Sequence, residues 1–193
     1  MIDVVLFDFD GVVRRFPRNA EWHDQIAPVA FDPGLLDQAV TGKITDEEWR
    51  AEVLRRIGED GAAAVAAWSA SAGEVNQAVL ELVREARKHV PVGLLTNGTT
   101  RLAADLERLG ITNEFDQIFN SCELGVAKPD LAVYEMVCAK LGVEPASVFF
   151  VDDSPGHVDA AREAGLQAVL FVDAVLLADE LRDAGVLRGT NPS

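Results

Sequence analysis

Four short segments carry the residue types that phosphoryl transfer uses. Asp8-Phe9-Asp10-Gly11-Val12-Val13 follows an apolar run at the start of the chain, and Thr96-Asn97-Gly98-Thr99 closes a second run. Lys128-Pro129 comes later, and Asp152-Asp153-Ser154 ends another apolar run. Two carboxylates at the mouth of an apolar strand are costly unless solvated or bound to a cation. Carboxylates hold a hard cation such as Mg2+, which takes oxygen ligands and keeps several waters. The cation also lets an anionic phosphate approach an anionic nucleophile. An aspartate that attacks phosphorus gives an aspartyl-phosphate and splits one hard step into two. A second carboxyl group can protonate the leaving oxygen and then activate water. Hydroxyl, amide and ammonium donors stabilise the equatorial oxygens. A lone DxD or Lys-Pro means little, and a Thr before a helix is most often a cap. The order of the segments and their strand-end placement carry the signal.

Elements that would hold these groups can be read from the hydrophobic pattern. Apolar runs at 4–9, 92–96, 117–120, 147–151 and 168–172 read as buried strands, several rich in Val, Phe and Leu without alternation. Such runs suit parallel strands covered on both faces. Helical periods lie between them at 100–109 and 131–141, with Gly110 and Gly142 as stops, and a further helix starts near Ser154. A helix after Asn97 would aim its free amides at an anion. The C-terminal helix, about 174–185, is expected to pack Val175, Leu176, Leu177 and Leu181 inward, with a frayed tail over 188–193. Strands alternating with helices predict an α/β fold with a mostly parallel sheet, whose ligands sit at the strand ends.

Roughly 80 residues separate the first strand from the second, far more than one crossover needs. A helix over 74–89, burying Val75, Val79, Leu82, Val83 and Ala86, can serve as the crossover. The core is then 1–14 plus 74–193, and 15–73 is an insertion. It reads as wholly helical, with segments at 22–29, 34–40, 46–57 and 61–72. Thr45 stands three residues before Glu48, a capping-box spacing. Trp22, Trp49 and Trp68 all fall in the insertion and are expected to form its core, or in one case to line a pocket.

Taken together, the four segments resemble the motifs of the haloacid dehalogenase superfamily of aspartate-nucleophile hydrolases. Asp8-Phe9-Asp10-Gly11-Val12 looks like the first motif and Leu94-Leu95-Thr96-Asn97-Gly98 the second. Lys128-Pro129-Asp130 looks like the third and Phe150-Val151-Asp152-Asp153-Ser154 the fourth. The resemblance implies a Rossmann-like parallel sheet with an inserted all-helical cap of the type called C1. It also implies roles: Asp8 as nucleophile and Mg2+ ligand, and Asp10 as general acid/base with its carbonyl on the metal. Thr96 and the Asn97 amide would bind phosphate, and Lys128 would neutralise nucleophile and phosphate. Asp153 is expected to be the direct metal ligand of the fourth motif, with Asp152 acting through water or Lys128. Dehalogenases of this fold lack the second aspartate, so Asp10 favours phosphoryl chemistry over dehalogenation. A phosphatase acting on a small phosphorylated metabolite such as a sugar phosphate is the leading expectation. A phosphomutase shares all four motifs, and a non-catalytic regulatory module is a third class.

Bulk composition narrows the setting. The chain has 193 residues and a formal charge of -15. That length suits one domain with a modest insertion. Strong acidity argues against nucleic-acid and anionic-membrane surfaces, though a bound cation still admits an anionic small molecule. Two cysteines, Cys122 and Cys138, and no Cys/His cluster suggest neither disulfides nor zinc. No run approaches the roughly 18 apolar residues of a membrane span, and a cytoplasmic protein is expected. The oligomeric state stays open. Arg14 and Arg15, in the turn after Asp10, and Lys43, in a loop between predicted cap helices, are weak candidates for substrate contact. His23, His89 and His157 are given no role.

Overall fold

The computed structural model describes residues 1–16 and 23–188. Trp22, the start of the predicted 22–29 helix and the tail from residue 189 lie outside them. Five strands form one parallel sheet: β1 (Val4–Phe7), β4 (Val92–Thr96), β5 (Gln117–Asn120), β6 (Val148–Asp152) and β7 (Gln167–Leu170), in the order β5-β4-β1-β6-β7. Central β1 pairs Phe7 with Leu94 on one side and with Val151 on the other. This register puts the carboxyl ends of β1, β4 and β6 level, so Asp8, Thr96 and Asp152 stand side by side. Helices cover both faces. One is packed by α5 (Gln77–Arg87), α6 (Leu102–Leu109) and α10 (Ala174–Asp183), the other by α8 (Leu131–Leu141) and α9 (Pro155–Glu163). Double coverage is why the inner strands β1, β4 and β6 read as nearly unbroken apolar runs. Gly110 and Gly142 end α6 and α8 in the left-handed conformation, as expected.

Three expectations need correction. The 15–73 stretch and the start of the crossover are not wholly helical: β2 (Arg14–Arg15) and β3 (Glu74–Val75) form a two-stranded antiparallel ribbon where the chain leaves and rejoins the core. The crossover helix therefore starts at Gln77, with Leu80 joining Val79, Val83 and Ala86 in its buried face. In α10, Leu177, Ala178 and Leu181 are buried, while Val175 and Leu176 are exposed. A 3.6-residue period cannot place 175, 176, 177 and 181 on one stripe. Finally, α6 starts at Leu102 rather than just after Asn97, so its first amides lie a full turn beyond that residue.

Between β2 and β3 lie α1 (His23–Ala30), α2 (Pro33–Val40), α3 (Asp46–Ile57) and α4 (Ala62–Ala70). They share a separate apolar cluster of Ile26, Ala30, Leu35, Ala39, Trp49, Val53, Val65 and Trp68. Trp49 and Trp68 meet edge to face at 4.9 Å, and the Trp49 indole donates to Ala30 O. The Thr45/Glu48 capping box forms at the start of α3. Replacing Thr45 by Ala should cost about 1 kcal/mol, read as a fall of roughly 2–4 °C in melting temperature. An unchanged melting temperature would show that the box does not support this helix.

These helices are tied to the core at several points. Ser121, at the start of α7 (Ser121–Leu124), donates to Val40 O at 2.5 Å. Asp46 takes a hydrogen bond from Thr99 Oγ1 and gives its amide to Thr100 Oγ1. Arg101 donates to the carbonyls of Ser69 and Ser71. Gly42, at φ +72, passes so close that a Cβ would lie 2.2 Å from Cys122 O. Among the described residues, no helix is long and apolar enough to cross a membrane.

Candidate active site

Level strand ends bring Asp8, Thr96 and Asp152 together, and the loop before α8 adds Lys128. Lys128 Nζ lies 2.9 Å from Asp8 Oδ1 and 2.5 Å from Asp152 Oδ2, and it also donates to Leu95 O. The Lys128 and Asp152 side chains are 1% and 0% exposed. Asn97 fixes this lysine from behind: its side chain accepts from Lys128 N and donates to Lys128 O. The Asn97 side chain is thus spent on positioning, which leaves its main chain as the part available to a ligand. Thr96 is buried beside it.

Charge in this cluster is unbalanced. Carboxylate oxygens of Asp8, Asp152 and Asp153 lie within 4.8 Å of one another, and the facing buried cation is Lys128. Burial pushes the Asp8 carboxyl up to about 7; Lys128 opposes this and the Asp152 charge adds to it. Burial also acts on Asp152, yet the His157 hydrogen bond and the Lys128 charge hold its carboxyl below the usual range. Asp153, on the outer side, is raised by desolvation and by Asp152. Three acidic groups against one ammonium, all offering oxygen, suit a hard divalent cation.

Occupancy of the Asp152 oxygens separates the acidic pair. Its Oδ2 faces Lys128, and its Oδ1 accepts from Ser154 N at 2.8 Å and faces His157 Nδ1 at 3.1 Å. Asp153 is exposed and beside Gly11, whose φ is +89 and where a Cβ would fall 1.9 Å from Asp153 Oδ2. Glycine at 11 is what lets the first loop approach the second carboxylate.

Asp10 lies outside this cluster. The chain folds back after β1 through the bonds Gly11 N to Arg14 O and Arg14 N to Phe9 O. That turn brings the Arg14 guanidinium onto both Asp10 oxygens, at 2.6 and 2.9 Å. Arg14 also reaches Asp105 Oδ2 at 2.7 Å, and Arg101 holds Asp105 Oδ1. Arg14 is therefore a buried, fully engaged side chain rather than a solvated loop charge. Arg15 is exposed near Gly11, Phe16 and Asp153. Lys43 is exposed, pairs with Asp37, and borders a second cavity that includes Asn97 and Lys128.

His157, Asp105 and Asp46 went unassigned in the sequence. The ring of His157, on the first turn of α9, folds back onto Asp152. Asp105 had a legible signal: it shares the apolar face of α6 with Leu102 and Leu106, where a charge demands a partner.

A parallel α/β sheet with a buried carboxylate–ammonium cluster at its carboxyl edge has the groups of an enzyme that attacks, protonates and stabilises anionic charge. The chain belongs to the haloacid dehalogenase-like hydrolases, whose family model matches residues 2–165. A sesquiterpene phosphatase of Aspergillus oryzae is 29% identical over 92% of this chain and 93% of its own length. A flavin mononucleotide hydrolase of Arabidopsis thaliana is 38% identical over 42% of this chain, and the match spans only 33% of that longer protein. Among solved structures, a HAD family enzyme from Bacteroides thetaiotaomicron, in complex with magnesium and inorganic phosphate, superposes with a TM-score of 0.75. It covers 88% of this chain and 94% of its own at 23% identity, which shows a shared fold.

Proposed function

We propose that the chain is a Mg2+-dependent phosphatase that hydrolyses a small phosphate monoester through an aspartyl-phosphate on Asp8. The observation that carries this reading is the buried Asp8–Lys128–Asp152 cluster with Asp153 at its open side. Asp8, Asp153 and the Asp10 carbonyl would hold Mg2+, with Asp152 acting through Lys128. When bound, the ion offsets the excess negative charge and lets a phosphate dianion approach Asp8. Asp8 attacks phosphorus; Thr96 and the Asn97 amide take the equatorial oxygens, and Lys128 balances nucleophile and phosphate. Asp10 gives a proton to the leaving oxygen and then takes one from water. The helices between β2 and β3 act as a cap over 15–73 that shields this exchange from bulk water. Names of similar proteins, a sesquiterpene phosphatase and a flavin mononucleotide hydrolase, agree with phosphate-ester chemistry.

The test is release of free phosphate from p-nitrophenyl phosphate with Mg2+ and with EDTA. Chelation should lower turnover by about 1000-fold or more. Incubation with glucose 1-phosphate should yield free phosphate or nothing; conversion to the 6-phosphate would replace this reading by a phosphomutase. A folded sample inert toward several esters would overturn it. Gly11→Ala must push Asp153 aside, so Mg2+ affinity by calorimetry should fall about 10–100-fold. Unchanged affinity would remove Asp153 from the metal site.

A further inference from the structure

A cavity of about 230 Å³ lies between the cap helices and the core, with Asp10 and Asn97 on its wall. A general acid must touch the leaving oxygen, so the body of the leaving group extends to the Asp10 side. Asp10 can serve from there: its side chain keeps 46% of its surface open despite the Arg14 fork. The remaining wall exposes more apolar than polar surface, with Phe31, Leu36, Val40, Trp49, Trp68 and Leu102 set among the charged groups.

The charged lining residues cancel. They are three arginines and three aspartates, and each is already bonded within the wall. Arg14 holds Asp10 and Asp105, Arg101 holds Asp105, and Arg50 holds Asp46 at 2.6 Å. Arg50 also lies over the Trp68 ring at 3.9 Å, and Thr99 takes the other Asp46 oxygen. An anionic leaving group would find no uncompensated cation among the described residues. A polyhydroxylated one would find donors and acceptors that already serve each other, so its hydroxyls would be buried without partners.

We propose that this cavity seats an uncharged, largely apolar leaving group; since a cavity of ~150 Å³ takes a benzene ring, it holds roughly nine or ten carbon atoms. The substrate is then the phosphate monoester of a hydrophobic or aryl-alkyl alcohol rather than a sugar phosphate or a phosphorylated acid. This rests on the phosphatase reading above and sharpens it.

Primary alcohols make a fair comparison, because their leaving oxygens have similar basicity. With Mg2+, kcat/KM for 3-phenylpropyl phosphate should exceed that for glucose 6-phosphate and for phosphoserine by about 30-fold or more. Acetyl phosphate has almost no body to seat and reports the reacting centre separately. If acetyl phosphate is inert, the phosphatase reading fails and takes this inference with it. If acetyl phosphate is cleaved but either polar ester matches phenylpropyl phosphate, the substrate inference alone is overturned. Phe31 is 52% exposed, so Phe31→Asp should fold. It should lower the ratio of phenylpropyl to acetyl phosphate turnover about 10-fold, and an unchanged ratio would take the leaving group out of this cavity. Binding can be read without chemistry: 3-phenylpropanol should shift the tryptophan emission of the metal-free protein, through Trp49 and Trp68, where glucose should not. Equal response to both, or none to the phenylpropanol, would also overturn the inference.

Discussion

Asp8→Asn should abolish turnover and, at the same time, raise the melting temperature of the metal-free protein at pH 8. Loss of the proposed nucleophile should lower kcat by at least ~10^4-fold. The gain in stability follows from where the carboxyl sits. Burial holds its folded-state value up to about 7 against an ordinary 3.8. Between those values the folded chain keeps a proton that the unfolded chain gives up. The stabilising contribution of that proton is complete below the unfolded value and is lost as pH rises through the folded one. A shift of this size corresponds to about 4 kcal/mol, and thus to roughly 8–16 °C for a domain of this length. Asparagine has no proton to lose. The difference in melting temperature between variant and natural chain should therefore be small at pH 4 and grow to its full size by pH 8. Mg2+ should close the gap by stabilising only the natural chain. Differential scanning calorimetry across pH, with and without the ion, decides the matter. A variant no more stable than the natural chain at pH 8, or one that retains a hundredth of its turnover, would contradict the role assigned to Asp8.

How far such a site can be read from sequence depends on whether the constraint is local. The three inner strands were legible because a doubly covered parallel strand is apolar nearly throughout, as in Val148–Val151, while the edge strands Gln117–Asn120 and Gln167–Leu170 showed only short apolar stretches. The candidate residues were legible because they follow those runs directly: Asp8, Thr96 and Asp152 are fixed at strand ends by chain continuity alone. The β2/β3 ribbon was not, since two residues per strand make no pattern, and its partners are separated by the whole set of inserted helices. The contacts that His157 and Arg14 make were not legible for the same reason. Each acts through a partner that the fold, not the neighbouring sequence, supplies: Asp152 across a strand end, and Asp105 from α6. Val175 and Leu176 failed differently. They are apolar residues on the outer face of α10, a position that composition alone cannot distinguish from the core.

Lys128→Met should strongly destabilise the metal-free fold, and a second substitution should partly repair it. Methionine matches the length of lysine and fits the buried slot beside Phe150, so the change removes charge more than volume. Asp8 and Asp152 would then face each other without the ammonium that now lies within 3 Å of both. Removing one partner of a buried ion pair costs about 3–5 kcal/mol, because the other charge stays buried and uncompensated. The melting temperature at pH 8 should therefore fall by ~10 °C or more, given 2–4 °C per kcal/mol at this size. Protonation of Asp8 should relieve part of the loss, so the deficit should shrink as pH falls from 8 towards 5. Adding Asp8→Asn should achieve the same relief at pH 8: the pair of substitutions should melt above Lys128→Met alone, a coupling that independent sites would not show. A metal site built on the same carboxylates predicts a further effect, since Mg2+ can replace some of the missing positive charge and should raise the melting temperature of Lys128→Met more than that of the double variant. Turnover should stay at least ~1000-fold down even with the ion bound, because in the proposed reaction Lys128 also balances the charge that builds on the transferring phosphate. If Lys128→Met melts like the natural chain at pH 8, or if Asp8→Asn makes it worse, the lysine is not the counter-charge that holds the two carboxylates together.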